Sequence, residues 1–224
     1  MAIDSNWLYD YVVKRFSSAE ELEAFLPKPK TAAELQAIGD DRYLSLITQR
    51  VFRAGLRHAM VDKRWPAFEE AFWGFEPKKM ILLSGEHFER LMRNKELIRH
   101  LTKMKSIPIN AQMVLEISIE YGSFGNFLAQ WPNTEIVNLW RYLHKQGSQL
   151  GGMSAASFLR MAGKDTFILN KDVTTALIAQ GVIDRQPTTI AAFAACQNAF
   201  NQLQEDSGRP LCQLSMMLSM TVNH

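Results

Sequence analysis

Apolar residues recur along most of this chain at intervals of three and four. Leu44, Ile47, Val51, Ala54, Gly55 and His58 follow that spacing, and Phe68, Phe72 and Phe75 repeat it one segment later. Such a stripe is what an amphipathic α-helix needs on its inward face. No stretch sustains a period of two, and neither Asn-Gly nor Asp-Gly occurs, so β-hairpins are not predicted. Helix starts are marked as well. Thr31-Ala-Ala-Glu34 reads as a capping box, and Ser84 and Ser123 stand where short helices would open. Pro66, Pro77, Pro108, Pro132, Pro187 and Pro210 divide the chain into segments of helix length. The expected fold is all-α, two-lobed, with about ten helices of ordinary length. One lobe covers residues 35–130 and carries the aromatic-rich segments; the other joins residues 1–34 to residues 134–224. The segment Gln130-Trp-Pro-Asn-Thr134 links them, and an active cleft between lobes is a common arrangement.

Composition narrows the class. With 224 residues, 47% hydrophobic and 21% charged, 12 Gly and 8 Pro, the chain reads as an ordinary globular protein, neither disordered nor fibrous. Its apolar runs are too short to span a bilayer, and the start, MAIDSNWLYDYVVKRF, lacks the features of a secretory signal. Cys196 and Cys212 are the two cysteines, too few for a disulfide framework, a four-cysteine zinc site or an iron–sulfur cluster. A reduced, cytoplasmic protein without membrane contact is the expectation.

The net charge of +2 says little, but its distribution says more. Arg90, Arg93, Lys95, Arg99, Lys103 and Lys105 face one acid, Glu96, within their stretch; Arg141, Lys145, Arg160, Lys164 and Lys171 face Asp165. These runs make either a basic face for phosphates or simply solvated helix faces.

The segment from Gln149 to Val173 carries the chemistry. Glu135 to Lys145 reads as one helix and Ser154 to Met161 as the next, with Gly147, Gly151 and Gly152 allowing a tight turn between them. A turn that feeds directly into a helix amino end presents free N–H groups and the positive end of the helix dipole, which suits a phosphate oxygen. A plain glycine-rich connection between antiparallel helices fits the same residues.

Leu150-Gly151, Ser154-Ala155, Gly163 and Phe167-Ile168-Leu169 resemble the helix-hairpin-helix DNA glycosylases, placing the hairpin at about residues 135–161. Upstream, Val51-Phe-Arg-Ala-Gly-Leu56, Lys63-Arg64, Phe68 to Pro77, Glu89-Arg-Leu91, Ile98-Arg99, Lys103, Asn110-Ala111 and Gly122-Ser-Phe124 are similar in order and spacing to the 3-methyladenine DNA glycosylase I family. The likeness covers about residues 42–175. It implies an enzyme of base excision repair that removes an alkylated purine from double-stranded DNA after the base has left the stack.

The departures from that pattern refine the expectation. The zinc-bearing members' amino-terminal Cys and His have no counterpart before His58, so no metal and no cofactor are expected. Gln149 stands at the first hairpin glycine, Arg50 at the base-pocket glutamate and His58 at the stacking tryptophan. Asn170 falls on the superfamily's catalytic aspartate, although the nearest family also carries Asn there. Met153 occupies the position of the lyase lysine, which implies a monofunctional glycosylase without a Schiff base.

N3- or N7-alkylated purines carry a formal positive charge, so the base departs neutral and needs little protonation. The protein then supplies a stacking pocket and a negative group beside the oxocarbenium-like sugar. Asp172, with Asn170, is the candidate for that role; Asp172 equally suits a helix cap before Val173, and Asp40 and Asp41 are further candidates. The rings available to hold the base are Phe52, His58, Trp65, Phe68, Phe72, Trp73 and Phe75. Helical spacing assigns Phe68 and Phe72 to the core, Trp65 is the ring least explained by burial, and His58 either stacks or is satisfied locally. Arg50, Arg53 and Arg57 form a one-sided stripe that lines the cleft or pairs with Asp40, Asp41, Asp62 or Glu69. The base pocket is thus expected at Phe52, Arg53, His58 and Trp65. DNA contacts are expected at Gly151, Gly152, Met153, Lys145, Arg160, Lys164 and Lys171. The protein is expected to act as a monomer. Two other readings stay open: a catalytically diverged, non-enzymatic DNA-binding module on the same scaffold, and an all-α interaction protein whose hairpin merely joins helices.

Overall fold

The computed structural model describes residues 3–222. Among them the chain forms helices and two 3-10 turns. In order these are α1 (Ser5–Val13), α2 (Ala19–Phe25), α3 (Ala32–Gln36), α4 (Asp40–Arg53), α5 (His58–Ala71), α6 (Pro77–Met80) and α7 (Gly85–Arg93). They continue with α8 (Leu101–Tyr121), α9 (Phe124–Gln130), α10 (Ile136–Gln146), α11 (Ser154–Ala162), α12 (Lys171–Ala179), α13 (Ile190–Ser207) and α14 (Leu211–Ser219). Fourteen helices replace the ten expected, because several connections coil into short turns of their own. The all-helical class stands.

The start signals act as read. Thr31 Oγ1 accepts from the Glu34 amide at 3.3 Å while Glu34 accepts from the Thr31 amide at 2.7 Å, closing the box at α3. Ser123 Oγ accepts from the Asn126 amide at 2.9 Å and opens α9. The prolines behave differently. Pro66 lies inside α5 and Pro108 inside the long α8. In α5 the nearby Trp65 and Phe68 are buried, and their packing outweighs the lost backbone bond. The periodic stripe from Leu44 also stops earlier than its spacing suggests. Gly55 adopts φ +75° and ends α4, so His58 begins a new helix.

Two compact units emerge. The first comprises the residues up to Lys30, Pro132–Leu139, and the residues from Gly163 onward. Within it α1 packs on α13 and α14, and α12 on α14. Phe167 and Phe200 stack at 4.1 Å and 5° in its interior. The Asp165 carboxylate accepts from the Leu211 and Cys212 amides at 3.0 and 2.9 Å, satisfying donors at the start of α14.

The second unit comprises Thr31–Trp131 and Trp140–Ala162. Residues 140–162, expected with the carboxyl-terminal segments, therefore belong with the aromatic ones. The reason is local packing: α11 lies against α4, and Phe158 meets Phe124 at 6.1 Å. Here α4 also packs on α8 and α3 on α9. Phe52, Phe68, Phe72, Phe75, Met104 and Ile107 are fully buried in its core.

Candidate nucleic-acid interface

The hairpin turn between α10 and α11 is held from below. Asn110 on α8 is fully buried, and its side-chain oxygen accepts from the Ser148 amide at 2.7 Å while its amide nitrogen donates to the Ser148 carbonyl at 3.1 Å. One side chain thus satisfies both polar groups of one turn residue. Gly147 makes the approach possible: a Cβ there would lie 2.9 Å from Asn110 Oδ1 and 2.8 Å from Leu150 Cδ1. Asn110 entered the sequence reading only as part of a resemblance. Its bracing role has no periodicity to betray it.

Two residues of the turn are left-handed, Gln149 at φ +62° and Gly152 at φ +56°. The first explains why glycine is usual there. A side chain in that region costs about 1–2 kcal/mol, a cost this chain carries at Gln149. Gly151 has no such requirement; a Cβ there would meet only the His144 ring, at 3.1 Å. The turn leads into α11 through the Ser154 amide to Gly151 carbonyl bond, 3.1 Å, and the Ser157 amide to Met153 carbonyl bond, 2.9 Å. The amides around Gly152 and Met153 therefore lie at the positive end of a nine-residue helix. Gly152 and Lys145 are exposed, and Gly151, Met153 and Arg160 are half-buried.

The carboxyl end of α4, packed on α11, is basic. Arg53 is held by Asp62 at 2.6 and 2.9 Å, and its other terminal nitrogen reaches Met161 Sδ on α11 at 3.5 Å. Lys103 on α8 donates to the Phe52 carbonyl at 3.3 Å and to that of Ala54, and its ammonium sits 5.9 Å from the Phe52 ring centroid. Arg50 is half-buried, and its Nε is enclosed without a hydrogen-bond partner. Burial, and then repulsion from Arg53, lowers the pKa of Arg50. Burial, and then Arg50 itself, lowers that of Lys103. Of the acids proposed for the arginine stripe, Asp62 takes Arg53. Glu69 instead binds Arg42 at 2.9 Å, and the Asp40 carboxylate takes Ser118 Oγ at 2.6 Å and the Phe124 amide at 2.9 Å.

The predicted stacking rings are mostly interior. Phe52 is fully buried and Trp65 is 9% exposed. Trp65 lies parallel to Phe68 and Phe75, at 5.0 and 5.6 Å, and its Nε1 donates to Ser45 Oγ at 3.0 Å and Glu69 Oε1 at 3.1 Å. Neither ring offers a face to an incoming base. The polar tip of Trp65 found buried acceptors, which a scan for apolar spacing cannot see. Phe68, Phe72 and Phe75 are buried as their spacing implied. Two rings of the seven remain at the surface, His58 and Trp73. Trp73 is 44% exposed, has φ +47°, and borders surface cavities of about 320 and 540 Å³.

In the first unit, Asn170 is the cap of α12, its Oδ1 accepting from the Val173 amide at 2.8 Å. Asp172, the residue considered for that cap, sits instead in the first turn of the helix, half-buried. Lys171 is exposed. Lys164 does not fit a phosphate contact: it is 5% exposed, and burial lowers its pKa to about 8 despite Asp165 beside it. Next to it, Gly163 has φ +93°, and a Cβ there would strike the Lys30 side chain at 2.6 Å.

A family model described as methyladenine glycosylase matches residues 35–157. A DNA-3-methyladenine glycosylase of Haemophilus influenzae is 33% identical over 87 residues, which are 38% of this chain and 47% of that protein. The chain thus spans about half the length of this relative. Among solved structures, 3-methyladenine DNA glycosylase I from Staphylococcus aureus superposes with a TM-score of 0.51 at 22% identity, over 70% of this chain and 91% of that one. The 8-oxoguanine DNA glycosylase of Thermotoga maritima covers 98% of both chains with a TM-score of 0.58 at 14% identity. At these identities the structures establish the fold, that of the helix-hairpin-helix DNA glycosylases. With more than half of its length inside the matched region, hairpin turn included, the chain belongs to the methyladenine glycosylase family.

Proposed function

We propose that this chain is a monofunctional DNA glycosylase that hydrolyses the N-glycosidic bond of alkylated purines such as 3-methyladenine in double-stranded DNA. The observation that carries the reading is the braced hairpin turn opening α11 inside the region matched to the family. Its amides, with Lys145 and Arg160 of the same unit, take phosphate oxygens and hold the strand; the exposed Lys171 of the first unit is a separate candidate for a phosphate contact. The everted base, already cationic, leaves C1′ with the bonding electrons and becomes neutral, while water adds to C1′. Asp172, positioned by the cap that Asn170 makes on α12, offsets the positive charge growing on the sugar. The protein acts as a cytoplasmic monomer and needs no cofactor.

Arg50 favours a second reading, a DNA-binding module that has lost catalysis, because it stands where the resemblance implies a carboxylate in the base pocket; Asn170 departs from the wider superfamily's aspartate but not from the nearest family. A duplex with one 3-methyladenine or 7-methylguanine separates the readings. Base released and identified by mass supports the enzyme, binding without release supports the module, and neither outcome leaves only a helical interaction protein. Gly151→Val should lower duplex affinity at least about tenfold with little loss of stability, since only the surface His144 ring must move. Unchanged affinity would remove the hairpin from the interface.

A further inference from the structure

Three cations meet where α4 ends, and they are not treated alike. Arg53 is neutralised by Asp62. Lys103 serves the helix: its ammonium holds the Phe52 and Ala54 carbonyls, acceptors that the last turn leaves unused. Arg50 has neither arrangement. Its Nε is enclosed and unbonded, and no carboxylate among the described residues forms an ion pair with it. The charges that act on it are of its own sign. A half-buried guanidinium whose Nε is closed off from water, beside two further cations, is costly unless an anion completes it.

The surroundings indicate which anion. Arg50 and Arg53 lie three residues apart on one face of α4, and Arg53 reaches Met161 on α11. Met161 lies at the end of α11 away from the hairpin turn, and α4 packs against that helix. Guanidinium is planar, with paired donors that match a phosphate more closely than an ammonium does. We propose that Arg50 is a phosphate-binding residue of the second unit, taking a phosphodiester oxygen of the strand gripped by the hairpin. Lys103 raises the local potential without itself contacting the anion. The DNA part of this assignment rests on the function proposed above; the anion site does not.

The test uses the full chain and Arg50→Gln, with Arg50→Lys as a second variant. Thermal unfolding is followed in inorganic phosphate and in chloride of matched ionic strength. Phosphate should stabilise the parent most, Arg50→Lys less and Arg50→Gln least, with any remainder in Arg50→Gln coming from the hairpin amides. No phosphate effect in the parent, or an equal effect in Arg50→Gln, overturns the site. Binding to undamaged duplex across a salt series supplies the second arm. The slope of log affinity against log salt should shrink by about 0.9 in Arg50→Gln, the loss of one phosphate contact, and equally on duplex carrying a methylated base. An effect confined to damaged duplex overturns the phosphate assignment by placing Arg50 against the base. Should the parent bind phosphate through Arg50 but no duplex, the anion site stands and the DNA function falls.

Discussion

The two ends of α4 hold similar numbers of charged side chains and use them in opposite ways. At the amino end every charge is answered. Asp40 takes Ser118 and the Phe124 amide, and Arg42 is shared among Asp41, Glu69 and the Gly74 carbonyl. Glu69 further receives Ser45 Oγ and the Trp65 indole. At the carboxyl end Arg53 alone has a carboxylate; burial and then Arg53 lower the pKa of Arg50, and burial and then Arg50 lower that of Lys103. A satisfied network stiffens a core. An unsatisfied one weakens the fold and persists where a ligand makes use of it.

Breaking the satisfied end should cost most. Trp65→Ala removes a ring stacked on two others and the indole donor shared by the Ser45–Glu69 pair, so denaturant unfolding should show a loss of about 3–5 kcal/mol. A loss below about 1 kcal/mol would mean that this end is not the rigid one. Glu69→Gln keeps the shape but removes the charge facing Arg42. Because that pair is partly solvated, the expected loss is smaller, about 1–2 kcal/mol by the same measurement. At the other end the sign reverses. Arg50→Met should gain up to about 1 kcal/mol, since it deletes an uncompensated cation and keeps apolar bulk. In the same variant the Lys103 pKa should rise, because its second perturbing influence is gone while burial remains. Lysine titration by NMR reads that shift. With a folded-state pKa below the ordinary value, Lys103 contributes stability that grows as pH rises through that depressed value toward the unfolded one. Removing Arg50 narrows that window from its lower edge. A stability loss in Arg50→Met would show that the carboxyl end is as well compensated as the amino end.

How far the chain could be read depends on which end of such an element is in view. Thr31, Ser123 and the buried spacing of Leu44, Ile47 and Val51 are local signals, and the structure repeats them. Trp65 looked available because it stands beside Pro66 and two basic residues, yet its surroundings are made by Ser45 and Phe75, distant in sequence. Lys164 looked like part of a basic run, but Gly163 and Asp165 carry it into the interior of the first unit. Of the hairpin, the glycines were visible and the reason for Gly147 was not, because the atom it makes room for belongs to a helix some forty residues away, at Asn110. Charge was legible as a sum along the chain; which cation lacks a partner is a property of packing.

The Asn110 clamp bears on timing as well as shape. A turn already tied to α8 at both its amide and its carbonyl has little freedom left to surrender when a strand arrives, and ordering of flexible segments is a main entropic toll on association. Under the proposed function, duplex encounter should then proceed without a slow adjustment step, and differences among sequences or lesions should appear in how long the complex lives. On the same reading, such a grip would suit a search for rare lesions, because it is ready on contact.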